Sequence, residues 1–139
     1  MVQLIVGKKG KGKTKYLLDK VNSEIKTVSG NIVYLDKSTK HMFELNNKVR
    51  LIDVSDYAFE NSAEFVGFVC GIISQDHDLQ QMYFDSFLKI ACLEDQDITS
   101  TIKKLDKISK VQGVDFIVSV SIDADEIPES IKENIIIAL

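Results

Sequence analysis

Hydrophobic residues along the chain fall into short β-branched runs that alternate with longer stretches of helical spacing. The helical spacing predicts three long helices, at residues 14–29, 62–75 and 97–112. The short apolar runs predict strands at residues 2–6, 32–36, 49–54, 81–85, 114–121 and 135–139. Apolar strands that alternate with helices are typical of a parallel sheet covered on both sides. The pattern therefore predicts an α/β fold, a three-layer sandwich with a mainly parallel sheet of five or six strands.

Residues that commonly begin or end helices lie at the borders of these segments. Gly30 is placed to end the first long helix, and Asn61 is placed to cap the start of the second. Gly67 and Gly71 lie one turn apart within that second helix. Two glycines on one side of a helix indicate that it packs closely against a neighbouring element.

The chain has 139 residues, of which 45% are hydrophobic, and no linker or repeat divides it. This length predicts one domain, 1–139, with enough apolar residues for a packed core. The longest nearly unbroken apolar run, Phe65 to Ile73, is too short to span a bilayer, and no secretory signal is expected. Cys70 and Cys92 have no metal-ligand spacing, so we expect free, buried thiols in a reducing cytoplasm.

Charge is distributed unevenly between the two parts of the chain. Residues 1–50 carry 11 lysines and arginines against 4 acidic residues, a net charge of +7, whereas the whole chain has a net charge of −4. Five lysines lie between Lys8 and Lys15, among three of the seven glycines. The basic charge is therefore local, which argues against a generally basic nucleic-acid coat protein.

This basic stretch carries a phosphate-binding pattern. Every fixed position of G-x-x-x-x-G-K-[ST] is matched by Gly7-Lys8-Lys9-Gly10-Lys11-Gly12-Lys13-Thr14. A predicted strand precedes it and a predicted helix follows, which is the context in which the pattern binds nucleotides. Glycines let successive backbone N–H groups face one anion, Lys13 would reach the β- and γ-phosphates, and the Thr14 hydroxyl would ligate Mg²⁺. Lys8, Lys9 and Lys11 either raise the phosphate affinity or are solvated charges.

A magnesium site usually needs a second protein group on a neighbouring strand. Three aspartates follow apolar runs, namely Asp36, Asp53 and Asp85. Asp85 is the preferred candidate, because its strand lies between two long helical stretches and Ser86 follows it. The predicted ligands are thus ATP and Mg²⁺, with the metal held by Thr14 and Asp85.

These motifs resemble those of the P-loop NTPases, and in particular of their RecA-like branch. The Walker B strand of that branch has apolar residues followed by Asp-Ser, as in Phe84-Asp85-Ser86. The resemblance implies a polar sensor at the end of the next core strand, where Ser121 or Ser119 lies. The chain is also similar to small uncharacterised bacterial ATP-binding proteins, some of which carry a twitching-motility label. The acidic and histidine boxes of the long twitching ATPases are missing, so that function is not carried over.

Groups that would make hydrolysis fast are missing from the pattern. The resemblance implies a glutamate just after the second strand, to orient the attacking water, but none occurs near Ser38. Asp36 either takes that role or merely caps the strand end. Arg50, the only arginine, opens the third strand at the opposite edge of the sheet, where we expect a surface ion pair and no arginine finger. We therefore expect slow ATP hydrolysis by the chain alone. A protein partner or a neighbouring subunit would supply the missing catalytic charge.

Three functions stay open at this point. The first is an ATP-binding P-loop protein with slow or partner-stimulated hydrolysis, in which the catalytic residues are Lys13, Asp36, Asp85 and Ser121. The second is a nucleotide-gated regulatory module without useful hydrolysis. The third is a small-molecule or nucleotide phosphotransferase, which the scarcity of arginine disfavours. No guanine-reading motif is complete, which favours ATP over GTP. Neither membrane insertion nor nucleic-acid binding is expected.

Overall fold

Six strands and four α-helices alternate along the chain in the computed structural model, which describes residues 1–139. The helices α1 to α4 span Lys13–Glu24, Ser62–Ser74, Phe87–Ile90 and Thr99–Gln112. The strands β1 to β6 span Val2–Val6, Asn31–Asp36, Arg50–Asp53, Leu79–Phe84, Asp115–Val120 and Ile135–Ala138. Short 3₁₀ turns occupy Met42–Glu44, Val54–Asp56, Ala124–Glu126 and Glu129–Asn134. None of the helices combines the length and the apolar character needed to cross a membrane.

The six strands form one parallel sheet in the order β3-β2-β4-β5-β1-β6. The predicted α/β class and parallel sheet are confirmed, and the sheet has six strands. Because every strand points the same way, all carboxyl ends lie at one edge. The ends of β2, β4, β5 and β1 are consecutive there, although the chain visits these strands in another order. Loops far apart in sequence are therefore neighbours at this edge.

Helices cover both faces of the sheet, which is compatible with a three-layer sandwich. On one face, α2 and α4 contribute Phe65 and Ile102 to a core of 26 buried residues. On the other face, α1 contributes Leu17 to a core of 10 buried residues. Successive strand residues alternate between the two cores, as Leu4 and Ile5 of β1 do. The continuous apolar runs seen in the sequence follow from this burial on both sides.

The first long helix is shorter than predicted, because α1 ends at Glu24. Apolar spacing continues past this end, since Ile25 and Val28 still pack on the core beneath α1. They do so from a turn in which the Val28 N–H donates to the Glu24 carbonyl at 3.0 Å. The prediction that Gly30 ends the helix is therefore wrong. Gly30 is needed for another reason: a Cβ there would collide with the Asp78 carbonyl oxygen.

The second helix begins as predicted but packs differently. The Asn61 side chain caps α2 by accepting the backbone N–H of the residue three positions later, at 2.9 Å. The close packing expected at Gly67 and Gly71 is absent, since nothing lies within 4 Å of a Cβ built at either. Cys70 lies on the same exposed face of α2, and Cys92 is half-buried. Both thiols are free, but the prediction that they are buried is wrong.

The two kinds of glycine should respond oppositely to alanine. We expect Gly30→Ala to lower the free energy of unfolding by about 1–3 kcal/mol, because the backbone at Asp78 must shift to admit the methyl group. Gly71→Ala is the matched control. It should raise the same quantity by about 0.5–1 kcal/mol, because alanine favours an exposed helix interior. Urea unfolding measures both, and equal effects of the two substitutions would contradict the close approach at Gly30.

Candidate functional site

Three buried polar side chains gather where neighbouring strands reach the carboxyl edge of the sheet. They are Asp85 after β4, Ser119 in β5 and Asp36 at the end of β2. Each is at most 3% exposed. Each also follows, by two positions, a strand residue of the ten-residue core under α1. Because side chains alternate along a strand, all three point to the face that α1 covers.

The loop between β1 and α1, residues 7–12, has the left-handed backbone that its glycines allow; we call it the glycine loop. The φ angles are 151° at Gly7, 86° at Gly10 and 93° at Gly12. Residues with a Cβ rarely adopt such values, so the glycine spacing noted in the sequence has a backbone cause. At Gly7 an added Cβ would also lie 2.9 Å from the Leu139 carbonyl oxygen.

The start of α1 is open to an anion. Gly12 occupies the N-cap without any side-chain hydrogen bond, and the first turn holds no acidic residue. The first N–H groups of a helix have no partner within the helix and carry the positive end of its dipole. Negative charge is therefore favoured where the glycine loop meets α1.

Lys13, the first residue of α1, is buried beside this helix start. Its side chain is 6% exposed, and its Nζ donates to the Lys8 carbonyl oxygen at 3.0 Å. Burial lowers the pKa of Lys13, and the Asp85 carboxylate acts in the opposite direction. An ammonium group has three N–H donors, and only one is used here. Lys13 thus retains donors for an anionic oxygen.

The Asp85 carboxylate is the centre of a buried hydrogen-bond network. Its Oδ1 accepts the Thr14 hydroxyl at 3.2 Å, the Ser119 hydroxyl at 3.0 Å and the Ser86 N–H at 2.9 Å. Its Oδ2 accepts the Tyr34 hydroxyl at 2.8 Å. The structure thereby brings together two residues predicted from the sequence, Thr14 and Asp85. Their oxygens are hard donors of the kind that Mg²⁺ prefers, and Mg²⁺ usually takes only one or two protein ligands.

Tyr34 belongs to this network and was missed in the sequence. Burial, followed by the negative charge of Asp85, raises the pKa of Tyr34 far above its usual range. The hydroxyl therefore stays protonated and donates. A signal was present, because Tyr34 precedes Asp36 by two positions and so shares its face of the sheet.

Asp36 is buried at the same edge but is poorly satisfied. Its Oδ1 accepts the Lys37 N–H at 2.7 Å, whereas its Oδ2 is buried without a partner. Burial, and then the nearby charge of Asp85, raise the pKa of Asp36 to about 6. The side chain does not line the cleft described next. Water in that cleft therefore has no direct route to its carboxylate.

A cleft of about 590 Å³ opens above these side chains. This volume is within the range of small-molecule sites. Only one of its 14 lining residues is hydrophobic. The lining consists of Lys9, Gly10, Gly12, Lys13, Thr14, Lys37, Asp85, Ser86, Leu88, Lys89, Glu94, Asp95, Ser119 and Ser121. So polar a cleft suits a charged, oxygen-rich ligand.

The remaining predicted residues fall into two groups. Ser121 lines the cleft but is exposed and lies beyond the end of β5, so Ser119, and not Ser121, contacts Asp85. Lys8 and Lys11 do not line the cleft, although the Lys8 carbonyl holds Lys13. Arg50 pairs with Asp76 at 3.2 Å, which confirms the expected ion pair. No group of three or more His, Cys, Asp or Glu side chains is arranged to hold a metal ion.

The raised pKa of Asp36 predicts a pH-dependent stability. An acid with a raised pKa binds its proton more tightly in the folded protein, so its contribution to stability falls as pH rises from about 4 to about 6. Asp36→Asn removes this ionisation. We expect it to raise the free energy of unfolding by up to about 3 kcal/mol above pH 7 and to change it little near pH 4.

Urea unfolding across this pH range measures the effect. Asp53→Asn is the matched control, because Asp53 is the register partner of Asp36 on β3 and its carboxylate is satisfied by Ser55. The control should show no gain that grows with pH. If Asp36→Asn runs parallel to wild type at every pH, the burial of an unsatisfied carboxylate is not costly here.

Comparisons with family models and with curated proteins identify no relative of this chain. No protein-family model matches the chain, and no curated protein matches it. Function is therefore inferred from the side chains of the cleft.

Proposed function

We propose that this protein is a P-loop NTPase of the RecA-like type that binds ATP with Mg²⁺ and hydrolyses it slowly or with the help of a partner. One observation carries the proposal. The Thr14 hydroxyl, at the start of α1, lies 3.2 Å from the Asp85 carboxylate, at the end of β4, and both line the cleft beside Lys13. Asp85 was one of three aspartates that the sequence offered as the partner of Thr14, and the two hydrogen-bonded residues are 71 positions apart.

The proposed phosphate position is supported by three sources of positive potential. The glycine loop offers backbone N–H groups, α1 offers an uncapped N-terminus, and Lys13 offers two unused ammonium donors. Bound phosphate would also remove the cost of keeping Lys13 buried with a single neutral partner. A chain of linked phosphates would place negative charge along all three.

Thr14 and Asp85 would hold Mg²⁺ in this proposal. A hydroxyl and a carboxylate, completed by water and phosphate oxygens, fit the octahedral all-oxygen preference of this ion. When bound, the ion would neutralise charge on the β- and γ-phosphate oxygens. Ser119 and Tyr34 keep the Asp85 carboxylate oriented by donating to it. We therefore assign the sensor position to Ser119 in preference to Ser121.

Slow hydrolysis is supported by the position of Asp36. It was the candidate for activating water, yet its free oxygen is buried and the residue does not line the cleft. This observation also favours the second candidate function, a nucleotide-gated module that binds ATP and needs a partner for any turnover. The two candidate functions differ only in the rate of ATP hydrolysis, and they use the same site.

Nucleotide binding should depend on Lys13 and not on its neighbour Lys15. We expect Lys13→Ala to weaken Mg·ATP binding by about tenfold to a hundredfold, because a charge-assisted contact to phosphate is lost. Lys15→Ala is the matched control, since Lys15 is exposed on α1 and pairs with Asp19 at 3.0 Å. Calorimetric titration with ATP and GTP measures both. Wild-type protein that binds neither nucleotide at millimolar concentration would refute the proposal.

The intrinsic turnover should be slow. We expect a single-turnover rate below about 0.1 per second, compared with about 10 per second for a typical enzyme. Lys13→Ala protein, purified in the same way, reveals the rate of any contaminating ATPase. A wild-type rate of several per second above this background would contradict the proposed need for a partner.

A further inference from the structure

Two lysines that the sequence did not single out line the cleft, and they lie away from the glycine loop. Lys37 follows β2, and Lys89 lies on α3, just after β4. In the sheet, β4 and β2 lie on the far side of β5 from β1. Lys37 therefore lies beyond Asp85 as seen from the glycine loop, and Lys89 lies on the short helix that follows Asp85. Lysines thus line the cleft on the glycine-loop side and again near β2 and α3, where Glu94 and Asp95 share the lining.

The backbone of each lysine segment is held by a buried carboxylate. The Lys37 N–H donates to Asp36 Oδ1 at 2.7 Å. Ser86, which starts the segment of Lys89, donates its N–H to Asp85 Oδ1 at 2.9 Å. Each of the adjacent strands β2 and β4 thus leads into a buried aspartate, and the carboxylate of that aspartate accepts the N–H of the next residue. The segments that carry Lys37 and Lys89 are therefore fixed at the same carboxyl edge of the sheet as the glycine loop.

The segment of Lys89 also has an unusual backbone. Ser86, Cys92 and Asp95, with φ of 55°, 59° and 59°, are the only residues other than glycine with positive φ. Such conformations are sparsely populated, and they concentrate at functional sites. Phe87 is buried on α3, whereas Lys89 is exposed at the rim of the cleft. Lys89 thus lies in the segment that holds all three of these backbone conformations.

Neither Lys37 nor Lys89 forms an ion pair within 4 Å in the protein, although the charge of Lys37 acts on the neighbouring Asp36 carboxylate. The seven ion pairs of the structure all involve other residues. Glu94 and Asp95 line the same cleft, yet neither lies within 4 Å of a lysine nitrogen. Two unpaired ammonium groups facing a polar cleft are suited to bind anionic oxygen.

We propose that Lys37 and Lys89 form a subsite for the terminal phosphate of a nucleoside triphosphate. This inference rests on the proposed function. A phosphate chain held by the glycine loop and Lys13 would extend through the same cleft that Lys37 and Lys89 line. A diphosphate would be one phosphate shorter and would leave these two lysines without a phosphate oxygen. The subsite therefore lets the protein distinguish ATP from ADP, and it supplies within this chain part of the positive charge that the sequence assigned to a partner.

The test compares affinities for a non-hydrolysable ATP analogue and for ADP, each with Mg²⁺, by calorimetric titration at about 0.15 M salt. We expect the double variant Lys37→Ala with Lys89→Ala to weaken analogue binding by about tenfold or more and ADP binding by less than about threefold. Lys37→Arg with Lys89→Arg keeps both charges and should retain most of the analogue affinity. Lys40→Ala is the control, because Lys40 is exposed in the same loop but does not line the cleft.

The ratio of the two affinities decides the outcome. If the double variant loses the same affinity for the analogue and for ADP, the two lysines attract anions in general, and the subsite is overturned. If it loses affinity for neither ligand, the subsite is overturned as well. Both lysines are exposed, and urea unfolding checks that each variant is folded. Wild-type protein that binds no nucleotide refutes the proposed function itself. Wild-type protein that binds both ligands, with an unchanged ratio in the double variant, refutes the subsite alone.

Discussion

The buried carboxylate of Asp85 is the interaction on which the candidate site depends. Removing a charged group from water costs several kcal/mol, and here four hydrogen bonds offset that cost. The donors come from four elements: Thr14 on α1, Tyr34 on β2, Ser119 on β5 and Ser86 before α3. Each donor would itself lose its buried partner if the carboxylate moved. The start of α1 is therefore held in position by the order and register of the strands as much as by the glycine loop that precedes it.

Features that depend on local chain geometry could be predicted from the sequence. The glycines of the loop have left-handed φ angles, which glycine adopts far more readily than residues with a Cβ, so the residue type alone indicates them. The six apolar runs correspond to the six strands. Asp85 was found because an aspartate after an apolar run reaches the carboxyl edge of a parallel sheet. Tyr34 could have been found by the same reasoning, since a tyrosine two residues before the end of β2 places its hydroxyl at that edge.

Features that depend on contacts between distant segments could not be predicted. Ser119 and Ser121 are two positions apart, and because β5 ends at Val120 between them, only Ser119 is buried beside Asp85. At Ser86, where the backbone is left-handed, the N–H donates to two acceptors, Asp85 after β4 and Ser119 in β5. A serine in the sequence does not by itself indicate a left-handed backbone conformation. Gly30 is likewise required by Asp78, which is 48 positions away in the sequence and adjacent in the fold.

The charges of the cleft are poorly compensated within the protein, and this links its stability to its proposed ligand. Burial lowers the pKa of Lys13, which lines the cleft, whereas burial and Asp85 raise the pKa of Asp36, which lies beside the cleft without lining it. Phosphate would offset the buried charge of Lys13, and a cation at Asp85 would relieve its repulsion of Asp36. A ligand that binds only the folded state adds about 2.7 kcal/mol at a hundred times its Kd. The burial of Lys13 and Asp36 costs folding free energy, and under the proposed function a bound nucleotide and its cation would offset part of that cost.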